Sequence, residues 1–156
     1  MRLRLGRLCL WITLLAVSPA LAGPAPGTPP SAPAGRVHLS SGSASVVRDG
    51  VAIEARVGLP LFESDMLRTG TEGRLGVTLK DDTRLSLGPD SALRLDTVQY
   101  APAEGKLALA LKVVRGAAAY VSGRIAKLAP DAVRLETPAA IVGVRGTTLV
   151  IQVADQ

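Results

Sequence analysis

From residue 43 onward, apolar and polar positions alternate in short runs broken by turn residues. Residues 45–48 (SVVR) lead into Asp49-Gly50, and residues 51–54 (VAIE) follow. An Asp-Gly pair accepts the positive φ angles of a two-residue hairpin, so these runs predict two antiparallel strands. Residues 74–80 (RLGVTLK) put Leu75, Val77 and Leu79 on one face. Asp81-Asp82 then turns the chain, and residues 83–87 (TRLSL) resume the same period. Period two is the spacing of a half-buried strand. After the turn Gly88-Pro89-Asp90-Ser91, residues 92–95 (ALRL) continue it.

Residues 106–113 (KLALALKV) are rich in helix formers, but Leu107, Leu109, Leu111 and Val113 recur at every second position. On a helix that spacing would scatter them around the cylinder, so this run is a predicted strand. Shorter strands are expected over 117–122 and 133–137. A β-branched pair of strands is expected over 140–153, bent at Gly143 or Gly146. The sole helix candidate is 124–128, which Pro130 keeps short. Strands spaced by turns, with no long helix between them, exclude a parallel βαβ sheet. The fold class is all-β, with short strands in a solenoid-like or sandwich-like stack.

The front of the chain has a different character. Arg2, Arg4 and Arg7 precede a mostly apolar run over 8–17, and Ala20-Leu21-Ala22 supplies a small-x-small cleavage pattern. Residues 1–22 therefore read as a secretory signal peptide, with Gly23 as the new N-terminus. Residues 8–22 fall short of the roughly 20 apolar residues that span a bilayer, so no stable membrane anchor is expected after cleavage. Cys9 stands at the start of the apolar run, where a lipid-bearing cysteine would follow it. Residues 23–35 (GPAPGTPPSAPAG) hold no charge and no large apolar side chain, and read as an extended Pro-rich linker. The β domain is expected over 36–156.

Cleavage changes the charge picture. The whole chain has 18 Lys and Arg against 13 Asp and Glu; losing the three signal arginines leaves 15 against 13, a net charge of +2. The remaining charges alternate in sign, so no basic block tracks a phosphate backbone and nucleic acid is not an expected partner. The signal also takes the one cysteine and the one tryptophan, Trp11. A cysteine-free chain has no disulfides and must be held by its core, which is feasible for a domain of about 120 residues.

Candidate chemistry is sparse. His38, the one histidine, lies beside the linker without an orienting partner in view, so it reads as solvated and inert. Asp81 and Asp82 are adjacent in a turn and read as turn formers rather than paired acid and base. The stretch 143–148 (GVRGTT) lacks the Gly-Lys-Ser/Thr ending of a phosphate loop, and its glycines suit a bulge or bend. The mature aromatics are Phe62, Tyr100 and Tyr120, too few for a stacking platform. No catalytic, cofactor-binding or metal-binding residue is assigned. Exposed strand edges offer another mode, pairing with an extended segment of a partner.

Three stretches together resemble the FecR-type periplasmic domain family. Residues 58–70 resemble its G-x-x-L-x-x-G-D-x-L-x-T-G entry motif, with Gly58 leading, Ser64 in place of the second glycine, then Asp65, Thr69 and Gly70. Residues 75–95 are similar to its paired strands around an acidic turn. Thr137-Pro138 with Val144-Arg145-Gly146-Thr147 resembles its closing TP…VRGT signature. The resemblance covers about 42–153 and implies a β-rich, solenoid-like stack. It also implies a structural role for Asp65, Thr69, Gly70, Thr137, Pro138, Arg145, Gly146 and Thr147.

In the best-known members this domain is periplasmic, is joined through a transmembrane helix to a cytoplasmic segment that controls a sigma factor, and reads an outer-membrane receptor. Here a signal and linker precede the domain and the sequence ends soon after the signature. The resemblance therefore implies the module in a soluble exported form, periplasmic or secreted. The expected function is a non-enzymatic sensor or adaptor that binds another envelope protein, a receptor or a signalling protein. The alternative is a structural or surface spacer of the cell envelope. A carboxylate-based hydrolase finds no supporting spacing.

Overall fold

The structure, a computed structural model, describes residues 32–144 and 148–154. The strands are β1 (Gly35–Ser41), β2 (Ala44–Arg48), β3 (Val51–Glu54), β4 (Pro60–Leu61), β5 (Met66–Thr69) and β6 (Arg74–Leu79). They continue as β7 (Arg84–Leu87), β8 (Ala92–Ala101), β9 (Lys106–Val121), β10 (Val133–Glu136), β11 (Ile141–Gly143) and β12 (Thr148–Val153). One short helix, α1 (Arg124–Leu128), follows β9. The all-β class holds. The Asp49-Gly50 hairpin is as expected, with φ of 50° and 80° at its two central residues, the mirror-image turn that suits strand twist. The segments expected to be a signal peptide and a linker lie outside the described residues up to residue 31. β1 opens at Gly35 with Ala34 buried before it, so the sheet takes in the last two residues of the proline-rich segment.

Strand order runs β3-β2-β5-β8-β9-β7-β6-β1-β4, and β10 and β12 attach to the other edge of β9. The sheet curls on itself as a half-barrel. β9 is its spine. The first part of β9 pairs with β8 and, in parallel, with β10; its last residues pair with β7 and β12. Between the two parts the strand bends. Val113 lies opposite Leu93 and Arg115 opposite Ala92, so Val114 is an inserted bulge residue. Gly116 follows with φ of 77°. A Cβ there would stand 2.6 Å from Ser91 Cα and 2.7 Å from Asp90 O, so glycine is required on both conformational and steric grounds.

Sequence patterning predicts two strands, over 106–113 and 117–122, where the structure has one of 16 residues. The bulge explains the difference. Leu109, Leu111 and Val113 face inward before it and Ala118 and Tyr120 after it, so the inward set passes from odd to even positions.

The core is built from rows of largely apolar side chains directly opposite one another. Val37, Val77, Leu85 and Tyr120 form one row across β1, β6, β7 and β9. Val46, Leu67, Leu93 and Val113 form another across β2, β5, β8 and β9. Leu95, Leu111 and Leu135 extend the same interior to β10. All are buried in one apolar cluster, and each buried leucine or valine contributes on the order of 1.5–3 kcal/mol. With no disulfide among the described residues, this packing holds the domain.

Candidate functional site

The entry motif folds into a buried ion pair. The antiparallel register of β2 and β5 sets Val47 opposite Met66, so the next step brings Arg48 to Asp65. Arg48 Nε donates to Asp65 Oδ1 at 2.8 Å and Nη2 to Oδ2 at 2.7 Å. Phe62 N–H donates to the same Oδ2 at 2.8 Å, and Arg48 Nη2 also donates to Pro60 O at 2.9 Å. The guanidinium lies 4.5 Å from the centre of the Phe62 ring. The Asp65 side chain is 0% exposed and that of Arg48 28%. Hydrogen bonding to Asp65, reinforced by its charge, raises the Arg48 pKa above its ordinary value and outweighs the opposing effect of burial. Ser64, where the motif has glycine, adopts φ of 70°, the left-handed region that glycine occupies without strain.

Thr69 and Gly70 serve the bend of β9. Thr69 Oγ1 donates to Gly88 O at 2.6 Å and accepts from Ser91 N–H at 2.9 Å. Ser91 Oγ in turn accepts from Ala117 N–H at 2.9 Å. Gly70 N–H donates to Ser43 O and its carbonyl accepts from Asp90 N–H. Buried hydroxyls thus tie the end of β5, the turn before β8 and the bend of β9 together, each satisfying backbone groups that the bent ladder leaves open.

Asp81 and Asp82 diverge. Asp81 is buried, accepting from Thr83 N–H at 3.1 Å, Thr83 Oγ1 at 2.7 Å and Ile125 N–H at 3.3 Å. It holds the turn and the start of α1 at once. Asp82, with φ of 67°, points out and pairs with Arg124 at 2.9 Å on the exposed surface. Nearby, the Tyr120 hydroxyl is buried without a hydrogen bond. Burial raises its pKa above the ordinary 10.0.

Thr137 and Pro138 form the turn between β10 and β11, where Thr137 N–H donates to Ala140 O at 2.8 Å and Ala140 N–H to Thr137 Oγ1 at 3.0 Å. Arg145, Gly146 and Thr147 lie outside the described residues. Asp65, Thr69 and Thr137 share no hydrogen-bond partner, so the motif residues brace separate corners. His38 does have a partner: its Nδ1 lies 3.0 Å from Thr78 Oγ1. It sits on the bulge of β1, beside β6, rather than unpartnered at a domain edge. Among the described residues no three His, Cys, Asp or Glu side chains gather as a metal site, and no helix is long and apolar enough to cross a membrane.

The surface is asymmetric. Leu39, Gly76, Ser86, Ala119 and Val150 lie directly opposite one another across β1, β6, β7, β9 and β12. Leu39 is 49% exposed and Val150 69%. Arg36 and Arg84 flank this row on one side and Arg74 on the other. None of β1, β6, β7, β12 or residues 116–121 contains an acid. On the opposite group of strands the signs mix: Arg94 pairs with Asp96, and Glu136 reinforces its charge. β12 (TLVIQV) pairs with β9 on one edge. Its other edge meets no strand among the described residues, and it lacks the charge, proline or bulge that commonly protects such an edge.

These features define an all-β domain, a curled sheet in which the described motif residues are engaged in turns and strand crossings. The family model described as FecR protein matches residues 65–156, more than half of the chain, and the chain belongs to the FecR family. That family is a regulatory, sensor-type family of periplasmic domains. The match begins at Asp65 and includes the acidic-turn strands and the closing signature; the residues before it, from 42, lie outside the matched span. No curated protein and no solved structure matches the chain.

Proposed function

We propose that this chain is a non-enzymatic exported module, a periplasmic sensor or adaptor that binds another envelope protein through the open edge of β12 and the apolar row beside it. The observation that carries this reading is the edge itself, six uncharged residues with a free ladder and Val150 largely exposed. An extended partner segment gains main-chain hydrogen bonds there and seats alternate side chains against the row. Family membership supports a sensor role. The polar motif residues support a non-catalytic one, because Asp65, Thr69 and Thr137 spend their hydrogen bonds on the backbone and on Arg48. The basic and apolar pattern of residues 1–22 supports export by a cleaved signal, with a tether up to about residue 35.

The test is a photo-cross-linking residue placed at 150 and, as control, at 94, in cells that export the chain. A discrete adduct with another envelope protein at 150, absent at 94 and lost on adding Thr148→Lys, is the expected result. Equal adducts at both positions would exclude the edge. Adducts only between copies of this chain would favour the spacer, since an uncharged edge also pairs with itself.

A further inference from the structure

We propose a second site, independent of the β12 edge: the cleft where β10 and β12 part company along β9 binds a small ligand with an apolar body and one carboxylate. β9 pairs with β10 as far as Lys112 and with β12 from Gly116. Among the described residues no strand lies beside 113–115 on that edge, and a cleft of about 440 Å³ opens there. The volume falls within the roughly 300–1,000 Å³ of small-molecule sites. Its walls are largely apolar, with Val114 from the bulge, Pro138 and Ala139 from the β10–β11 turn and Val153 from β12.

Among the described residues of the lining, Arg115 supplies the one charge. Its Nε is shut off from solvent and has no hydrogen-bond acceptor among the described residues, in contrast with Arg48, Arg56, Arg94 and Arg124, which all pair with carboxylates. A desolvated guanidinium N–H without an acceptor is costly to leave unmade. A carboxylate fits the fork of an arginine with two parallel hydrogen bonds. Thr137 is a poor substitute acceptor, because its hydroxyl is taken by Ala140. A phosphate dianion would leave a second charge uncompensated against apolar walls, which favours a monoanion.

The experiment titrates the ¹⁵N-labelled full chain with hexanoate and with its neutral isostere hexanamide. Hexanoate is expected to shift the amides of Arg115, Ala139 and Val153 saturably, with a dissociation constant on the order of 1 mM. Hexanamide and Arg115→Gln should each weaken binding at least about tenfold. Ala139→Trp, on an exposed turn, should block the cleft while leaving the rest of the spectrum in place. Equal binding of acid and amide, shifts located elsewhere, or retained binding in Ala139→Trp would overturn the proposal. So would hexanoate binding that appears only in Asp155→Asn, which would make that side chain the occupant of Arg115.

Discussion

Removing Arg48 should cost more than removing Asp65, although Asp65 is the motif residue. The reason is the difference in exposure. Arg48→Met keeps an apolar stem against Phe62 but strands a fully buried carboxylate, whose remaining donor is Phe62 N–H at 2.8 Å. Breaking a buried pair in this way costs about 3–5 kcal/mol. Asp65→Asn leaves the guanidinium instead, and that group is 28% exposed and still holds Pro60 O. Water and the carbonyl partly replace what is lost, so the cost is about 1.5–3 kcal/mol. The double variant should cost less than the two single changes together, by about 1–3 kcal/mol, because the stranded charge is gone. Urea unfolding followed by far-UV circular dichroism measures all three. At a slope of about 1.5 kcal/mol per molar urea, the gap between the single variants corresponds to roughly 1 M in midpoint. An Asp65→Asn cost equal to or above that of Arg48→Met, or strict additivity, would refute the assignment of the buried charge as the controlling term.

Four further outcomes follow from the same structure. Ser64→Gly should raise the melting temperature slightly, by up to about 1 kcal/mol of stability, because relief at φ of 70° exceeds the added freedom of the unfolded chain. Gly116→Ala should destabilise by more than about 3 kcal/mol in a denaturant titration, since strain at φ of 77° adds to a clash with the Ser91 backbone. Tyr120→Phe should be neutral or stabilising by up to about 1 kcal/mol, because it deletes a buried hydroxyl that has no partner. In the parent chain, stability should fall as pH rises above 10.0 and level off beyond the raised pKa of Tyr120, and this variant should flatten that slope.

The parts of the fold that were legible are those with an unbroken local code. The hairpin at Asp49-Gly50 follows from two residues that tolerate positive φ, and the strands around Asp81-Asp82 from strict alternation. The short strands β4 and β5 carry no alternation long enough to predict them, and three further places resisted because each holds a bulge. His38 interrupts β1 between Val37 and Leu39, so an inward valine is followed by an outward leucine and no strand is predicted over 35–41. Asp96 interrupts β8, and the run predicted over 92–95 continues to Ala101 with Val98 inward instead of 97. Val114 divides β9. An inserted residue leaves the chain extended but reverses which parity is apolar, and a period-two reading registers that reversal as an end.

The polar sites divide along a related line. Asp65, Thr69 and Gly70 could be singled out by motif, but their partners could not. Arg48 reaches Asp65 through strand register, and Ser91 reaches Thr69 across 22 residues. Arg115 left no local signal at all, being one of many alternating charges. Its position follows from the bulge at Val114, since an extra residue re-aims the side chains after it. The same insertion ends the pairing with β10 and, through Gly116, starts the pairing with β12. The cleft and the cation in it therefore have one origin. A regular β9 would keep β10 and β12 on a continuous ladder and leave Arg115 among the solvated charges of a sheet face, so the irregularity that hid the strand is also what gives the domain, among the described residues, its one arginine with a buried and unpartnered Nε.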